Sequence, residues 1–343
     1  MKVRMFDLRV SDHQINKELN YHFNKVLNHG KFFFGPELYE LENKISQYLK
    51  KKYSVGLASG SSALYLALKA LDIGKGDEVI TTPFSWIITS NAIVENGAKP
   101  VFVDIGDDYN INPDLIEKKI TNKTKAIVPM HWGGHLCEMG KINKIAKKYN
   151  LYVVEDAAQA FGASYKSLKA GCNSDVGAFS MNPMKCLNGF GEAGMIVTNN
   201  KKIYEKIKLL RSHGILKNFS KTKLKKTPWL YEMSTLGYNY RITDFQCALG
   251  TSQLKKLEKF IIRRNKIASI YDSAFKNING FITPPKRKKI RNAYHLYPLL
   301  IDFKKMKISK FNFFNKLKER NIHLQVHYTP MHTQPFYKKK FGF

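Results

Sequence analysis

The chain has 343 residues, 43% of them hydrophobic, and 57 Lys+Arg against 27 Asp+Glu give a net charge of +30. That apolar content excludes wholesale disorder, and the length suits two domains or one large α/β unit. No apolar run approaches the roughly 18 residues that span a bilayer, and Asp7 interrupts the start before a signal-peptide core forms, so a cytoplasmic protein with no membrane partner is expected.

The first strand signal is Val55–Ala58, followed by a helical pattern over Ser62–Leu71 with Leu64, Leu66, Leu68 and Leu71 apolar. Strands follow at Glu78–Thr81, Pro100–Asp104 and Ala126–Pro129, then a helix at Met139–Lys148. Leu151–Glu155, Val176–Ser180 and Met195–Thr198 complete the strand set. Strand and helix alternating in this way predict an α/β fold with a mainly parallel sheet flanked by helices. On such sheets ligands sit beyond the carboxyl ends of the strands, so chemistry is sought just after each one. From Arg241 to Phe275 the pattern is one long helix, basic on its outer face. The Pro/Lys-rich stretch Thr283–Lys289 breaks the regularity before a strand at Tyr297–Phe303 and a helix at Lys310–Glu319. The expected division is a large domain over 1–248 and a smaller α+β domain over 249–343.

The basic residues are spread along the chain, at Lys50–Lys52, Lys118–Lys119, Lys221–Lys226, Lys286–Lys289 and Lys338–Lys340. With no nucleic-acid motif beside them, they read as solvated helix faces in a lysine-rich composition, and no nucleic-acid partner is expected. Cys137, Cys172, Cys186 and Cys247 are widely spaced with no CxxC, which points to free thiols rather than disulfides or a metal site.

Three post-strand segments carry chemistry. Ser59-Gly60-Ser61-Ser62 opens a helix and is either an anion cradle or an ordinary capping loop. Asp156 ends a buried strand, where a carboxylate needs a cation or donors, unless it is simply a helix N-cap. Lys185 sits between an apolar strand and the glycine-rich turn Asn188–Gly194, where burial would make its amine nucleophilic, although a surface loop lysine has the same local sequence. Taken together, a phosphate cradle, an anion for a ring nitrogen and an amine for an aldehyde are what pyridoxal 5′-phosphate chemistry requires. Trp86 offers a face for such a ring, or is a core tryptophan.

The chain resembles the DegT/StrS-type sugar aminotransferases, a family of the aspartate aminotransferase fold, from about Phe34 to Phe341. The likeness is carried by Gly35–Glu42, Ser59–Leu64, Gly76–Pro83, Glu155–Ala160, Arg211–Gly214, Gly237–Arg241 and Val326–Tyr328. It implies the type I fold of pyridoxal-phosphate-dependent transferases, with Lys185 as the Schiff-base lysine, Asp156 on the pyridine nitrogen and Gln159 by the ring hydroxyl. It also implies phosphate contacts from Gly60, Ser61 and Ser180, stacking by Trp86, and Asn239 reaching the neighbouring subunit's phosphate in a homodimer. Pro228–Glu232, Leu236–Asp244 and His295–Pro298 are similar to the pseudaminic acid pathway transaminases within the family. The lysine segment Asn182–Asn188 departs from that subgroup, which has His-Pro or His-Ala before the lysine. The implied activity is amino transfer from an amino acid, glutamate, to a keto group of a nucleotide-linked deoxysugar for surface polysaccharide or glycan biosynthesis. A dehydrase of the family would carry His in place of Lys185, and a regulatory member would have lost Lys185 or Asp156. Members of the family continue some tens of residues past the position of Phe343, so a shortened small domain is expected.

Overall fold

The computed structural model describes residues 3–216 and 229–343. Lys221–Lys226 and Pro228 lie outside the described residues.

In chain order the strands of the first two hundred residues are β1 (Tyr53–Leu57), β2 (Glu78–Thr81), β3 (Lys99–Phe102), β4 (Thr124–Val128), β5 (Tyr152–Asp156), the short β6 (Ser164–Tyr165) and β7 (Leu168–Lys169), β8 (Val176–Ser180) and β9 (Gly194–Thr198). Seven of them form one sheet in the order β1-β9-β8-β5-β4-β2-β3. The pairings β8 to β5, β5 to β4, β4 to β2 and β2 to β3 are parallel. β9 runs antiparallel to both neighbours, β1 and β8, so the mainly parallel expectation holds with one strand reversed. β8 and β9 are buried along their whole length, as apolar strands covered on both faces must be.

The helices are α1 (His13–His29), α2 (Pro36–Leu49), α3 (Gly60–Ala70), α4 (Ile88–Glu95), α5 (Met139–Tyr149), α6 (Lys201–Leu210), α7 (Asp244–Phe275), α8 (Lys310–Glu319) and α9 (Pro335–Phe341). On one face of the sheet Leu64, Leu66 and Leu68 of α3 pack with Val55, Val79, Val154, Ala178 and Ile196. On the other, Leu38, Leu41 and Ile45 of α2 pack with Phe161, Phe179 and Met195. The buried Asp244 at the start of α7 accepts from the amides of Gly35 and Leu38, both at 3.0 Å, and so caps α2 from outside. α7 is unbroken through residue 248, where the domain division was expected, and Leu257 and Ile261 beyond it still pack in the α2 core.

Short strands complete the structure: β10 (Ile215–Leu216) pairs β11 (Glu232–Met233), β12 (Phe281–Ile282) pairs β14 (Leu300–Ile301), and β13 (Ile290–Arg291) joins β6. The strand expected over Tyr297–Phe303 is confined to two residues, because Pro298 has no amide to give to a ladder. The four cysteines are free thiols. Among the described residues no helix is long and apolar enough to cross a membrane.

Candidate active site

The loop after β1 closes as a capping box: Ser59 Oγ accepts from the Ser62 amide at 3.1 Å, and Ser62 Oγ accepts from the Ser59 amide at 3.0 Å. The amides of Gly60 and Ser61, at the first two helical positions, have no carbonyl one turn behind them within the helix. Gly60 is buried against the end of β8; a Cβ there would stand 2.6 Å from Ser180 Cβ. The glycine thus brings the start of α3 onto Ser180, while Ser61 is exposed at the mouth. The result is a pair of free donors, two hydroxyls and a helix N-terminus at one point.

Asp156 ends β5 and is 2% exposed. Its Oδ2 accepts from Thr89 Oγ1 at 2.6 Å and its Oδ1 from the Ala158 amide at 3.1 Å. Thr89 in turn contacts Ser85 Oγ at 2.6 Å. Burial raises the Asp156 pKa above the usual carboxylate range, and the two donors and the charge of Lys185 work against that rise. The two donors and Lys185 do not cancel the burial rise, and a protonated ring nitrogen would add the counter-cation that does. The preceding Glu155 is wholly buried and anchors the strand end. Burial works to raise its pKa, but His131 Nε2 at 2.7 Å, Ser174 and the Gly171 amide outweigh it and hold the group below its ordinary value.

Lys185 lies in a loop that β8 and β9 close between them. Met181 N donates to Ala193 O at 2.7 Å, Gly189 N to Met181 O at 2.9 Å, and Lys185 N to Asn182 O at 2.8 Å. The side chain is half-buried. Burial lowers its pKa below the ordinary lysine value, with Asp156 partly opposing. An amine so depressed is unlike the solvated lysines of the surface.

Trp86 is 54% exposed and so is no core residue; it stands one turn before Thr89, with its ring 6.1 Å from that of Tyr328. Gln159 is buried, donates to Tyr328 Oη at 2.9 Å and accepts from the Gly133 amide at 2.8 Å. Burial pushes the Tyr328 hydroxyl up to about 12, keeping it protonated. Asn239 is exposed, and its Oδ1 is engaged with Arg241 Nε at 2.9 Å rather than with any of these groups. The structure adds residues that the sequence reading did not assign. Thr89 has no signal beyond being a threonine on an apolar helix. Tyr328, His295 and His327 stand in segments noted only for family likeness.

The sequence pattern of the DegT/DnrJ/EryC1/StrS aminotransferase family matches residues 13–343. The chain belongs to that family. It is 40% identical over 311 residues to the UDP-4-amino-4,6-dideoxy-N-acetyl-beta-L-altrosamine transaminase of Campylobacter jejuni, a match covering 90% of this chain and 80% of that one. Helicobacter pylori PseC, an aminotransferase involved in the biosynthesis of pseudoaminic acid, has the same fold at a TM-score of 0.90 and 31% identity, covering 100% of this chain and 89% of its own. NtdA of Bacillus subtilis, solved with the cofactor PMP bound, matches at a TM-score of 0.86 and 30% identity over 99% of this chain and 76% of its own. The chain is therefore an aminotransferase of the DegT/StrS type, with the α/β fold that its sequence led one to expect.

Proposed function

We propose that this protein transfers an amino group from an amino acid, glutamate, to the keto group of a nucleotide-linked deoxysugar in surface polysaccharide or glycan biosynthesis. The cofactor is pyridoxal 5′-phosphate, and the residues present fit it. The observation that carries the reading is the approach of a burial-depressed lysine, Lys185, to a buried carboxylate short of a cation, Asp156. Gly60, Ser61 and Ser180 would hold the phosphate, Trp86 one face of the ring, Gln159 the ring hydroxyl and Asp156 the ring nitrogen. When bound, the cofactor supplies an aldehyde and an electron-withdrawing ring that makes a proton on the donor carbon removable. Lys185 Nζ takes that proton in the first half of the reaction and returns one to the sugar carbon in the second.

The unit proposed is a cytoplasmic homodimer with shared sites, in which Asn239 serves the partner's phosphate. Support comes from the surface around Asn239, where Trp229 is 76%, Tyr231 70% and Met233 64% exposed, and where Arg241 lies over the exposed Phe33 ring. Large apolar side chains exposed close together in this way support a protein–protein surface here.

The test is chemical. Purified protein supplied with the cofactor should show the visible absorbance of a lysine Schiff base, and borohydride should bleach it and fix the cofactor on the peptide that carries Lys185. Fixation on another lysine, or none, would overturn the reading.

A further inference from the structure

His295 stands on a segment whose backbone is tied down from several directions. Ala293 N donates to Gly134 O at 3.1 Å and Leu296 N to Gly133 O at 3.2 Å, while Gly133 is itself held by Gln159. From α7, Arg264 Nη1 donates to Tyr294 O at 2.8 Å and Asn265 Nδ2 to Asn292 O at 2.9 Å. A segment fixed so firmly presents its one imidazole in a set direction. That imidazole has its Nδ1 buried with no hydrogen-bond partner among the described residues. The charges that act on the ring are those of Lys185, Arg264 and His327, all of one sign. Burial and these neighbours hold the ring well below its ordinary pKa, so it is neutral.

An unpaired buried nitrogen is costly unless a ligand completes it. The segment also meets the Lys185 loop, where Cys186 Sγ donates to Ala293 O at 3.7 Å; Lys185 must touch the carbon that loses or gains a proton, so a group there meets whatever is bonded to that carbon. On an amino-acid donor that substituent is a carboxylate. On a ketosugar the neighbouring carbons carry neutral hydroxyls. One site must therefore accept an anion in the first half of the reaction and a hydroxyl in the second. A fixed guanidinium can only donate, and its charge has no partner in the second. A neutral imidazole suits both, because either ring nitrogen can donate or accept according to the tautomer.

We propose that His295 is a specificity-determining residue whose Nδ1 edge donates to the carboxylate of the amino donor and, in the other half-reaction, hydrogen-bonds a hydroxyl of the sugar. This rests on the proposed function above.

The test uses the cofactor-loaded protein and two ligands, measured by calorimetry. One is 2-methylglutamate, which has no proton to lose and so binds without turnover. The other is 4-aminobutanoate, which keeps the distal carboxylate and the amine and lacks both the carboxylate and the methyl group on the amine-bearing carbon. His295→Phe should weaken 2-methylglutamate about tenfold, the worth of one hydrogen bond to a charged group, and leave 4-aminobutanoate unchanged. His295→Gln, which keeps a donor and an acceptor, should restore most of the loss. Equal weakening of both ligands, or of neither, would overturn the assignment. A second measurement needs no variant: in protein labelled with 15N-histidine, 2-methylglutamate should shift one Nδ1 resonance and 4-aminobutanoate should not. The absence of that shift while 2-methylglutamate still binds would overturn His295 alone. Failure of the unsubstituted enzyme to bind 2-methylglutamate at all would overturn the amino-acid donor as well.

Discussion

Lys185 and Asp156 share one low-dielectric space, and each weakens the other's burial penalty. Lys185→Ala should abolish amino transfer, by at least about a thousandfold, while the melting temperature and much of the cofactor binding survive, since the cradle and Asp156 remain. Full activity in that variant would end the role given to it. Asp156→Asn keeps the shape and one acceptor for the Ala158 amide, with Thr89 Oγ1 left to accept from the new amide, but not the charge, so stopped-flow kinetics of the donor half-reaction should slow by roughly a hundredfold or more. The two residues were legible in the sequence because each departs from its surroundings, an acid at the end of an apolar strand and a lysine before a glycine-rich turn. Thr89 was not, since its value lies in one hydrogen bond to a residue 67 positions away. His295 was hidden for the same reason: nothing in Asn292–Leu296 announces that Gly133 and Arg264 will hold it.

Elements were read best where burial imposes a period. β2 and β8 fall where their apolar runs predict, while α8, with no buried residue, was marked by its spacing alone. α1 and α6 went unassigned although both are amphipathic, because polar residues, asparagine and lysine in α1 and lysine in α6, stand between their apolar ones. β9 follows β8 through the loop 181–193, which forms no crossover helix and returns the chain antiparallel beside β8. The junction of α3 with β8 is testable through Gly60→Ala. With Ser180 Cβ only 2.6 Å from the added methyl, the helix start must withdraw. Cofactor affinity, followed by fluorescence, should fall by at least about tenfold, while the far-UV signal stays. The strap around Pro284–Pro298 meets the loop before α5 through Arg287, which pairs with Asp108 at 2.9 Å and Glu138 at 3.3 Å. Beside them His135 is depressed by burial to about 4, with Asp108 opposing and Arg287 assisting. Its unfolded value is near 6.5, so between those values the unfolded chain binds a proton that the folded chain refuses. Stability therefore rises with pH, is fully present above pH 6.5, and falls away toward pH 4. At pH 5 the loss should be on the order of 1–2 kcal/mol, read as a lower denaturation midpoint, and His135→Gln should remove most of that dependence.

For the molecule as a whole, the proposed shared site predicts complementation. Lys185→Ala and Asn239→Ala chains, each nearly inactive at low cofactor, should regain part of the activity when mixed, because half the sites in a heterodimer would carry both lesions and half neither. No recovery, or a fully active monomer by sedimentation, would defeat the arrangement. The net charge of +30 plays no part in that test, and its spread over many faces explains why charge alone told little about function. The place of β1 has a consequence for how the molecule assembles. It is one of the two edge strands, and its one neighbour in the sheet is β9, so that Leu57 waits for Gly194 while every other strand of that sheet is made between them. Closing so long a loop is slow beside local helix formation. The Ser59–Ser61 cradle follows β1 directly, so on refolding the ability to capture cofactor should return with the slowest phase, well behind the helical signal. Capture that kept pace with the helices would mean that the cradle forms before its strand has found a partner.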